Sequence, residues 1–265
     1  MSENKIAIIG AGNLGISIAE GIVEKGLKSD SEIILTRRHL DGIKYLQEKG
    51  YQTMTSNADA VAQSRIVMLC VQPKQLGSVL AEINSSLTKG HILVSVITGV
   101  SLKEIEDQVK EDVAVIRAMP NTAIAIGESM TCITSNREEA LVQEIQTLFD
   151  ALGKTLIIDE KLMQAATVLG ASGIAFFMRF LRAATQGGVQ MGFHSDEAQL
   201  IAVQTAKGAA SLILENNQHP EVEIDKVTTP QGCTIAGLNE MEHQGLSSAI
   251  IKGLMVSYER IANIK

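Results

Sequence analysis

Residues 5–15 read KIAIIGAGNLG, a short apolar run that leads directly into three spaced glycines. KIAIIG has the length and composition of a buried β-strand, and the following residues 14–25 have the spacing of an amphipathic helix. Gly10 permits a tight turn, Gly12 lets the backbone approach a pyrophosphate, and Gly15 lets the helix pack closely against the strand. Because this GxGxxG pattern stands between a strand and a helix, it predicts a dinucleotide-binding loop.

The alternation of strand-like and helix-like segments continues to about residue 160. The predicted strands are residues 5–10, 32–36, 65–71, 91–97, 113–119, 128–135 and 155–159, most of them read as buried and parallel. The predicted helices are residues 14–25, 40–49, 76–86, 102–109 and 137–152. This order is typical of a Rossmann-type α/β fold, a doubly wound parallel sheet with helices on both faces.

The texture of the sequence changes after about residue 160. Strand-like runs disappear, and Ala, Gly, Ser, Met and Gln dominate long segments that are compatible with helices. We therefore predict two domains: a dinucleotide-binding Rossmann domain over residues 1–160 and an all-helical domain over residues 161–265.

Composition limits the classes of partner. A formal net charge of −7 argues against a nucleic-acid or anionic-membrane surface. The apolar stretch at residues 165–178 is too short and too rich in Gly and Ser to predict a membrane span. Three widely spaced cysteines form no metal-ligand or disulfide pattern, which favours a reduced, cytoplasmic setting without a metal site.

The end of the second predicted strand indicates the cofactor. An NAD site commonly carries Asp or Glu there, whereas this chain has Thr36, Arg37 and Arg38. A hydroxyl and two guanidinium groups suit a 2′-phosphate, which favours NADPH, with NADH as the alternative. Two solvated arginines at a helix start are the plain alternative. An oxidoreductase is the leading class, and a nucleotide-binding protein without activity is its rival.

Nine stretches in the same order resemble the pyrroline-5-carboxylate reductase family, which makes proline. They are GAGNLG (10–15), SNADAV with Asn57, VQPKQ (71–75), ITGVS (97–101), RAMPNT (117–122), GASGIAFF (170–177), GGVQMGF (187–193), QTAKGAASLILE (204–215) and TTPQGCTIAGL (228–238). The resemblance covers nearly the whole chain. It implies a Rossmann domain followed by a helical domain for substrate binding and dimerisation, NADPH-dependent reduction of 1-pyrroline-5-carboxylate to L-proline, and a homodimer with interlocked helical domains. In the family five dimers sometimes form a decamer.

The glycine loop, the end of the second predicted strand and the resemblance together give the predicted site residues. The cofactor side would be formed by Gly10, Gly12, Asn13, Leu14, Gly15, Thr36, Arg37, Arg38, Asn57, Val71, Gln72, Pro73, Thr98 and Met119. The substrate side would be formed by Ser172, Gly173, Thr229, Gln231, Gly232, Cys233 and Thr234. The backbone of Thr229–Thr234 would bind the carboxylate of a small imine, and the Thr234 hydroxyl would meet the ring nitrogen as the catalytic group.

Several positions depart from the family pattern. Gln231 and Cys233 stand where the family usually has Gly and Thr or Ala, and Ile174 stands in place of Pro. These changes leave open a divergent paralogue that reduces another small imine or a keto acid, or a non-catalytic NADP-binding protein. A β-hydroxyacid-type dehydrogenase is a further rival, but Lys207 lacks the KxxxN spacing of that class.

Overall fold

The computed structural model of the protein describes residues 4–110 and 112–261, which form two compact units. The first unit contains the chain up to Ser172 and takes it up again at Ser257, and the second is Gly173–Val256. The helical segment before Ser172 stays with the first unit because Met163 packs with Met119 and Cys132 of the sheet. The two units divide between Ser172 and Gly173, later in the chain than residue 160. The domain boundary at residue 160 stays a prediction.

The first unit is built on one eight-stranded sheet. Its strands are β1 (Ile6–Ile9), β2 (Ile33–Thr36), β3 (Gln52–Met54), β4 (Ile66–Leu69), β5 (Ile92–Ser95), β6 (Ala114–Met119), β7 (Ser129–Ser135) and β8 (Gly153–Ile157). They lie in the order β3-β2-β1-β4-β5-β6-β7-β8, and neighbouring strands are parallel except for β6 and β7. The predicted Rossmann-type fold is confirmed.

The register of the central strands determines where a ligand can bind. Ile9, Thr36 and Leu69 are the last residues of β1, β2 and β4, and they lie side by side. The strand order reverses between β1 and β4. In doubly wound sheets the binding crevice lies outside the carboxyl ends of the strands at such a reversal.

Helices cover both faces of the sheet. They are α1 (Asn13–Glu24), α2 (Lys44–Glu48), α3 (Asn57–Gln63), α4 (Leu76–Ile83), α5 (Leu102–Glu106), α6 (Glu139–Asp150) and α7 (Met163–Ala166). Along β1, Ile6 and Ile8 belong to one buried cluster, and Ala7 and Ile9 belong to a second. Burial on both faces explains why the central strands read as continuous apolar runs instead of alternating ones.

The structure corrects the sequence analysis at the edges of the sheet. Strand β3 and helix α3 were not predicted, because three and seven residues carry little periodic signal. The last predicted strand exists as β8, but it is an edge strand in which Leu156 and Ile157 are half exposed, not a buried one. Its neighbour β7 runs antiparallel to β6.

The second unit is all-helical, as predicted. Its helices are α8 (Gly173–Gln190), α9 (Ser195–Asn216), α10 (Pro220–Val227), α11 (Cys233–His243) and most of α12 (Leu246–Ile261). Many large apolar side chains in this unit are exposed in the single chain, including Phe177, Met178, Met191, Leu200, Leu214, Ile251 and Met255. Apolar patches of this kind on a folded unit mark surfaces that contact another protein, a membrane or a ligand.

The run from Glu160 to Gln190 is helical throughout and is, by length and composition alone, apolar enough to cross a membrane. The stretch at residues 165–178, which the sequence analysis judged too short for a span, is thus part of a longer helix. One such helix is weak evidence for a membrane span, because core helices of soluble proteins and signal sequences can have the same length and composition.

Candidate active site

The three glycines of the first loop have three different environments. Gly10 has φ +100°, and a Cβ there would lie 2.7 Å from the carbonyl oxygen of Cys70. A Cβ at Gly15 would lie 2.6 Å from the Gly10 carbonyl oxygen. A Cβ at Gly12, in contrast, would meet no atom within 4 Å. Gly10 and Gly15 are therefore required by the fold, whereas Gly12 leaves space that a ligand could fill.

Helix α1 begins at this open space. Gly12 is its N-cap residue, so no side chain caps the helix, and its first turn, with Asn13, Leu14 and Gly15, contains no acidic residue. Backbone N–H groups at a helix N-terminus attract anions, and the helix dipole adds partial positive charge. The loop thus fits the pyrophosphate of a dinucleotide.

Thr36, at the end of β2, ties this loop to the next strands. Its carbonyl oxygen accepts a hydrogen bond of 2.8 Å from the Ala11 N–H, and its hydroxyl donates to Asn57 Oδ1 at 2.6 Å. Arg37 crosses toward the loop, with Nη1 3.4 Å from the Ala11 carbonyl oxygen. Arg37 and Arg38 are exposed, and within the described ranges neither forms an ion pair with a carboxylate. These side chains therefore leave positive charge at the end of β2.

Glu82 is a contributor that the sequence analysis missed. Its carboxylate accepts hydrogen bonds from the Asn57 backbone N–H at 3.0 Å and from Asn57 Nδ2 at 2.8 Å. These bonds orient the Asn57 amide so that its Oδ1 faces Thr36. No signal in the sequence connects residue 82 with residue 57, because the contact depends on the packing of α3 beside α4.

The turn after β4 lies against the same loop. Val71 Cγ1 would be 2.8 Å from a Cβ at Gly10, so the two segments touch. Gln72 precedes a short 3-10 turn at Pro73–Gln75, and its backbone N–H donates to Gln75 Oε1 at 3.0 Å. The structure thus brings the turn at residues 71–73 together with the phosphate loop, as the predicted cofactor site requires.

Two further predicted residues meet at the carboxyl ends of β5 and β6. The Thr98 hydroxyl is 3.9 Å from the sulfur of Met119, which is buried. Asn121 lies two residues after Met119, and its Nδ2 donates to the Gly170 carbonyl oxygen at 3.2 Å. Asn121 was quoted within a motif but was not among the predicted site residues.

Ser172 and Gly173 lie where the helical run changes its geometry. Residues Thr167–Ser172 form a π-helical segment, and α8 begins at Gly173. Such segments are rare and often occur at functional sites. Ser172 belongs to the first unit and Gly173 to the second.

The loop before α11 is a tight turn in the second unit. The Gly232 N–H donates to the Thr229 carbonyl oxygen at 2.9 Å, with Pro230 and Gln231 between them. Proline at the first central position and a positive φ of 60° at Gln231 are the signature of a type II turn. A Cβ at Gly232 would lie 2.5 Å from the Thr229 hydroxyl oxygen and 3.0 Å from the Thr229 carbonyl oxygen, so a larger residue there would force the turn to shift.

The turn leads into a helix N-terminus with no competing anion. Gly232 is the N-cap of α11, no side chain caps the helix, and its first turn, with Cys233 and Thr234, has no acidic residue. Cys233 and Thr234 are exposed in the single chain. The arrangement provides backbone donors and one hydroxyl for a small carboxylate.

Two cysteines of the sheet unit, Cys70 and Cys132, have surroundings that disfavour the thiolate form. Burial raises the pKa of Cys70 to about 12 and also raises the pKa of Cys132. A thiolate is the reactive form of cysteine, so neither side chain suits a nucleophile at neutral pH. Across residues 4–110 and 112–261, no group of three or more His, Cys, Asp or Glu side chains could hold a metal ion.

Both units match known families. Residues 160–264 match the family described as pyrroline-5-carboxylate reductase dimerisation, and residues 5–99 match the family described as NADP oxidoreductase coenzyme F420-dependent. The first unit is accordingly an NADP-binding domain, and the helical part is a dimerisation domain.

Two curated relatives from Dictyostelium discoideum are similar over almost the whole chain. The chain is 46% identical to pyrroline-5-carboxylate reductase 1 across 99% of its residues and spans 50% of that protein's length. It is 45% identical to pyrroline-5-carboxylate reductase 2, with 98% of this chain and 93% of the relative covered.

Solved structures agree with the fold. A pyrroline-5-carboxylate reductase from Coxiella burnetii superimposes with a TM-score of 0.91 at 26% identity, covering 100% of this chain and 99% of that one. The Plasmodium falciparum pyrroline carboxylate reductase with NADP bound gives a TM-score of 0.90 at 22% identity over 99% of both chains, a likeness of fold. Sequence, family matches and fold together show that this chain is an oxidoreductase that belongs to the pyrroline-5-carboxylate reductase family.

Proposed function

We propose that this chain reduces 1-pyrroline-5-carboxylate to L-proline, with NADPH as the hydride donor and with Thr234 as the hydroxyl nearest the reacting nitrogen. The observation that carries the substrate assignment is the loop before α11. That loop combines open backbone donors with a hydroxyl and has no competing acidic side chain in the first helical turn. The activity is that of the family to which the chain belongs.

The reaction needs a hydride and a proton. NADPH, when bound, supplies the hydride to the carbon of the C=N bond. The π electrons of that bond move to nitrogen, which takes up a proton and becomes the secondary amine of proline. An imine can arrive already protonated, so the protein must mainly hold the ring in register and stabilise the N–H.

The assignment of NADPH over NADH rests on charge at the end of β2. Arg37 and Arg38 are exposed cations, and Thr36 stands where an NAD site would carry a carboxylate. Guanidinium groups bind phosphate in a planar, bidentate way that a ribose hydroxyl cannot reproduce. Asn57, held by Thr36 and Glu82, would contact the adenosine portion.

The substrate would be held by residues of the Thr229–Thr234 loop and by Ser172 and Gly173. The N-terminus of α11 suits the carboxylate because the helix dipole is positive there. Gln231 and Cys233 stand on either side of Gly232, so their side chains would flank the carboxylate. Thr234 would then donate to, or accept from, the ring nitrogen.

We further propose that the active form is a homodimer with interlocked helical domains, with a decamer as a higher assembly. The exposed apolar side chains of α8, α9 and α12 would be covered by the same helices of the second subunit. The dimerisation family match over residues 160–264 supports a protein partner, and not lipid, for the apolar face of Glu160–Gln190. The negative net charge and the free cysteines support a cytoplasmic location without nucleic-acid partners.

A second candidate is the reduction of another small cyclic imine. It is favoured by Gln231, which occupies a left-handed conformation (φ 60°) that glycine adopts at lower cost. The Gln231 side chain, which stands next to the proposed carboxylate position, would contact a ring substituent that 1-pyrroline-5-carboxylate lacks.

Two valine variants test the role of the loop. Thr234→Val keeps the shape of the side chain and removes its hydroxyl, and we expect kcat/KM for 1-pyrroline-5-carboxylate to fall at least about tenfold. Thr228→Val is the matched control, because the Thr228 hydroxyl already donates to the Asp225 carbonyl oxygen at 3.2 Å and faces its own helix. Equal activity of both variants and wild type would remove Thr234 from the mechanism.

A further inference from the structure

Glu160 joins three segments of the first unit through a single oxygen atom. Its Oε1 accepts a hydrogen bond of 2.9 Å from the Leu102 backbone N–H and one of 2.7 Å from Arg117 Nη1. Glu160 itself opens the helical run that leads to Ser172. One carboxylate thus fixes the start of α5, the middle of β6 and the start of that run.

Two of these segments carry neighbouring residues of the proposed cofactor site. Leu102 follows the turn that holds Thr98, and Arg117 lies two positions before Met119 on β6. Thr98 and Met119 contact each other through the hydroxyl and the sulfur. The Glu160 carboxylate, which bridges Leu102 and Arg117, therefore sets the separation of the segments at the carboxyl ends of β5 and β6.

The third segment, the helical run from Glu160 to Ser172, contacts the same end of β6. Met163 is buried with Met119, and Asn121 donates to the Gly170 carbonyl oxygen. The π-helical segment that ends at Ser172 consequently moves with the Met119–Asn121 turn. Any shift at Glu160 would displace the proposed cofactor contacts and Ser172 together.

The ion pair is poorly suited to a purely stabilising role. The Arg117 side chain is 7% exposed, and Glu160 is its only ion-pair partner within the residues that the structure describes. Glu160 Oε2 and Arg117 Nε are buried with no hydrogen-bond partner. The Glu160 side chain is 32% exposed, so water screens the charge attraction, while the two unsatisfied atoms keep their desolvation cost. The ion pair therefore adds little net stability, and we look for its contribution in the geometry that it maintains.

We propose that Glu160 is a positioning residue for hydride transfer, holding the turns at residues 98–102 and 119–121 and the segment up to Ser172 in one arrangement. The proposal rests on the proposed function for its kinetic consequence. Glu160 contacts neither cofactor nor substrate in it; the residue acts through Leu102 and Arg117.

Glu160→Gln tests the proposal, because it keeps an acceptor for the Leu102 N–H and removes the charge that pairs with Arg117. Glu144→Gln is the matched control: Glu144 pairs with Arg65 in the same unit, at the start of β4 and away from the carboxyl ends of the strands. We expect kcat of Glu160→Gln to fall about tenfold to a hundredfold, because the groups near the reacting carbon are displaced. KM for NADPH should rise by a smaller factor than kcat falls, because the phosphate loop and the end of β2 do not contact Glu160.

A deuterium isotope effect separates positioning from folding. With NADPH deuterated at the transferred position, Glu160→Gln should show a larger effect on kcat than wild type, because a slower hydride transfer limits the rate more fully. A loss of folded protein would lower the rate and leave the isotope effect unchanged. Wild-type kcat and isotope effect in Glu160→Gln, or equal losses in Glu144→Gln, would overturn the proposal.

Hydrogen exchange tests the same proposal without turnover. Amides at residues 98–102 and 119–122 should exchange faster in Glu160→Gln than in wild type or Glu144→Gln, while strand β1 keeps its protection. Unchanged exchange at both turns would overturn the proposal whatever the activity. Wild-type protein that shows no turnover of 1-pyrroline-5-carboxylate would instead contradict the proposed function.

Discussion

Gly12→Ala separates cofactor binding from folding at the phosphate loop. Gly12 has φ −92° and ψ −172°, a conformation that alanine adopts readily, and its Cβ would enter space with no atom within 4 Å. Placing alanine at this N-cap should cost less than about 1 kcal/mol of stability. The folded protein should therefore tolerate the change.

The cost should appear in NADPH binding. The methyl group would stand where the pyrophosphate approaches the backbone, so at least one charge-assisted hydrogen bond from the α1 N-terminus is lost. Such a bond contributes about 1.5–3 kcal/mol, which corresponds to a Kd raised about 10- to 150-fold.

Gly15→Ala is the contrasting variant for this measurement. Its Cβ would lie 2.6 Å from the Gly10 carbonyl oxygen, so it should lower Tm as well as affinity. Titration of NADPH by fluorescence, beside thermal unfolding without cofactor, distinguishes the two variants. Wild-type affinity in Gly12→Ala at unchanged Tm would refute the claim that the pyrophosphate passes over Gly12.

Three other predictions concern the cofactor, pH and the turn before α11. Replacing Arg37 and Arg38 together by Met should raise Kd for NADPH about tenfold to a hundredfold and leave Kd for NADH nearly unchanged; equal losses for both cofactors would place the 2′-phosphate elsewhere. The folded state keeps Cys70 protonated up to a pKa of about 12, whereas the unfolded thiol ionises near about 8.5, so stability should fall between these pH values by up to about 1.4 kcal/mol per pH unit from this group. Urea unfolding of Cys70→Ala should show a flatter slope over that range. Part of the slope should remain, because burial also raises the pKa of Cys132 and raises the phenol pKa of Tyr51 to about 12; an unchanged slope would show that Cys70 ionises freely. Gln231→Gly should raise the free energy of unfolding by about 1 kcal/mol, because the residue has φ 60°, and a lower Tm would show that the Gln231 side chain stabilises the turn.

Strong local patterns made most of the fold predictable. Strands β1 and β4, at the centre of the sheet, are apolar at every position because both faces are covered, and GxGxxG fixes the turn between β1 and α1. Edge strand β3 and short helix α3 escaped prediction, since their stability comes from packing against neighbours and not from periodicity. The exposure of β8 was missed because its sequence is as apolar as that of a buried strand. In the single chain nothing covers Leu156 and Ile157, which are half exposed.

Motifs located the candidate site, but local sequence did not identify the residues that support it. The pairs Thr98–Met119 and Thr36–Asn57 belong to segments that the sequence singled out, and the structure brings each pair into contact. Glu82 and Glu160 lie outside every motif, and each acts across a distance in sequence that only the sheet order closes. Charged residues on helices usually indicate a solvated surface, so no local signal distinguishes these two.

The central claim is that the chain converts 1-pyrroline-5-carboxylate to proline with NADPH. The most direct measurement follows the loss of NADPH absorbance by the purified wild-type protein and quantifies proline by mass spectrometry in the same samples. The account predicts steady turnover with one proline formed for each NADPH consumed. NADPH bound tightly but not consumed, or consumed only with a different imine, would contradict it.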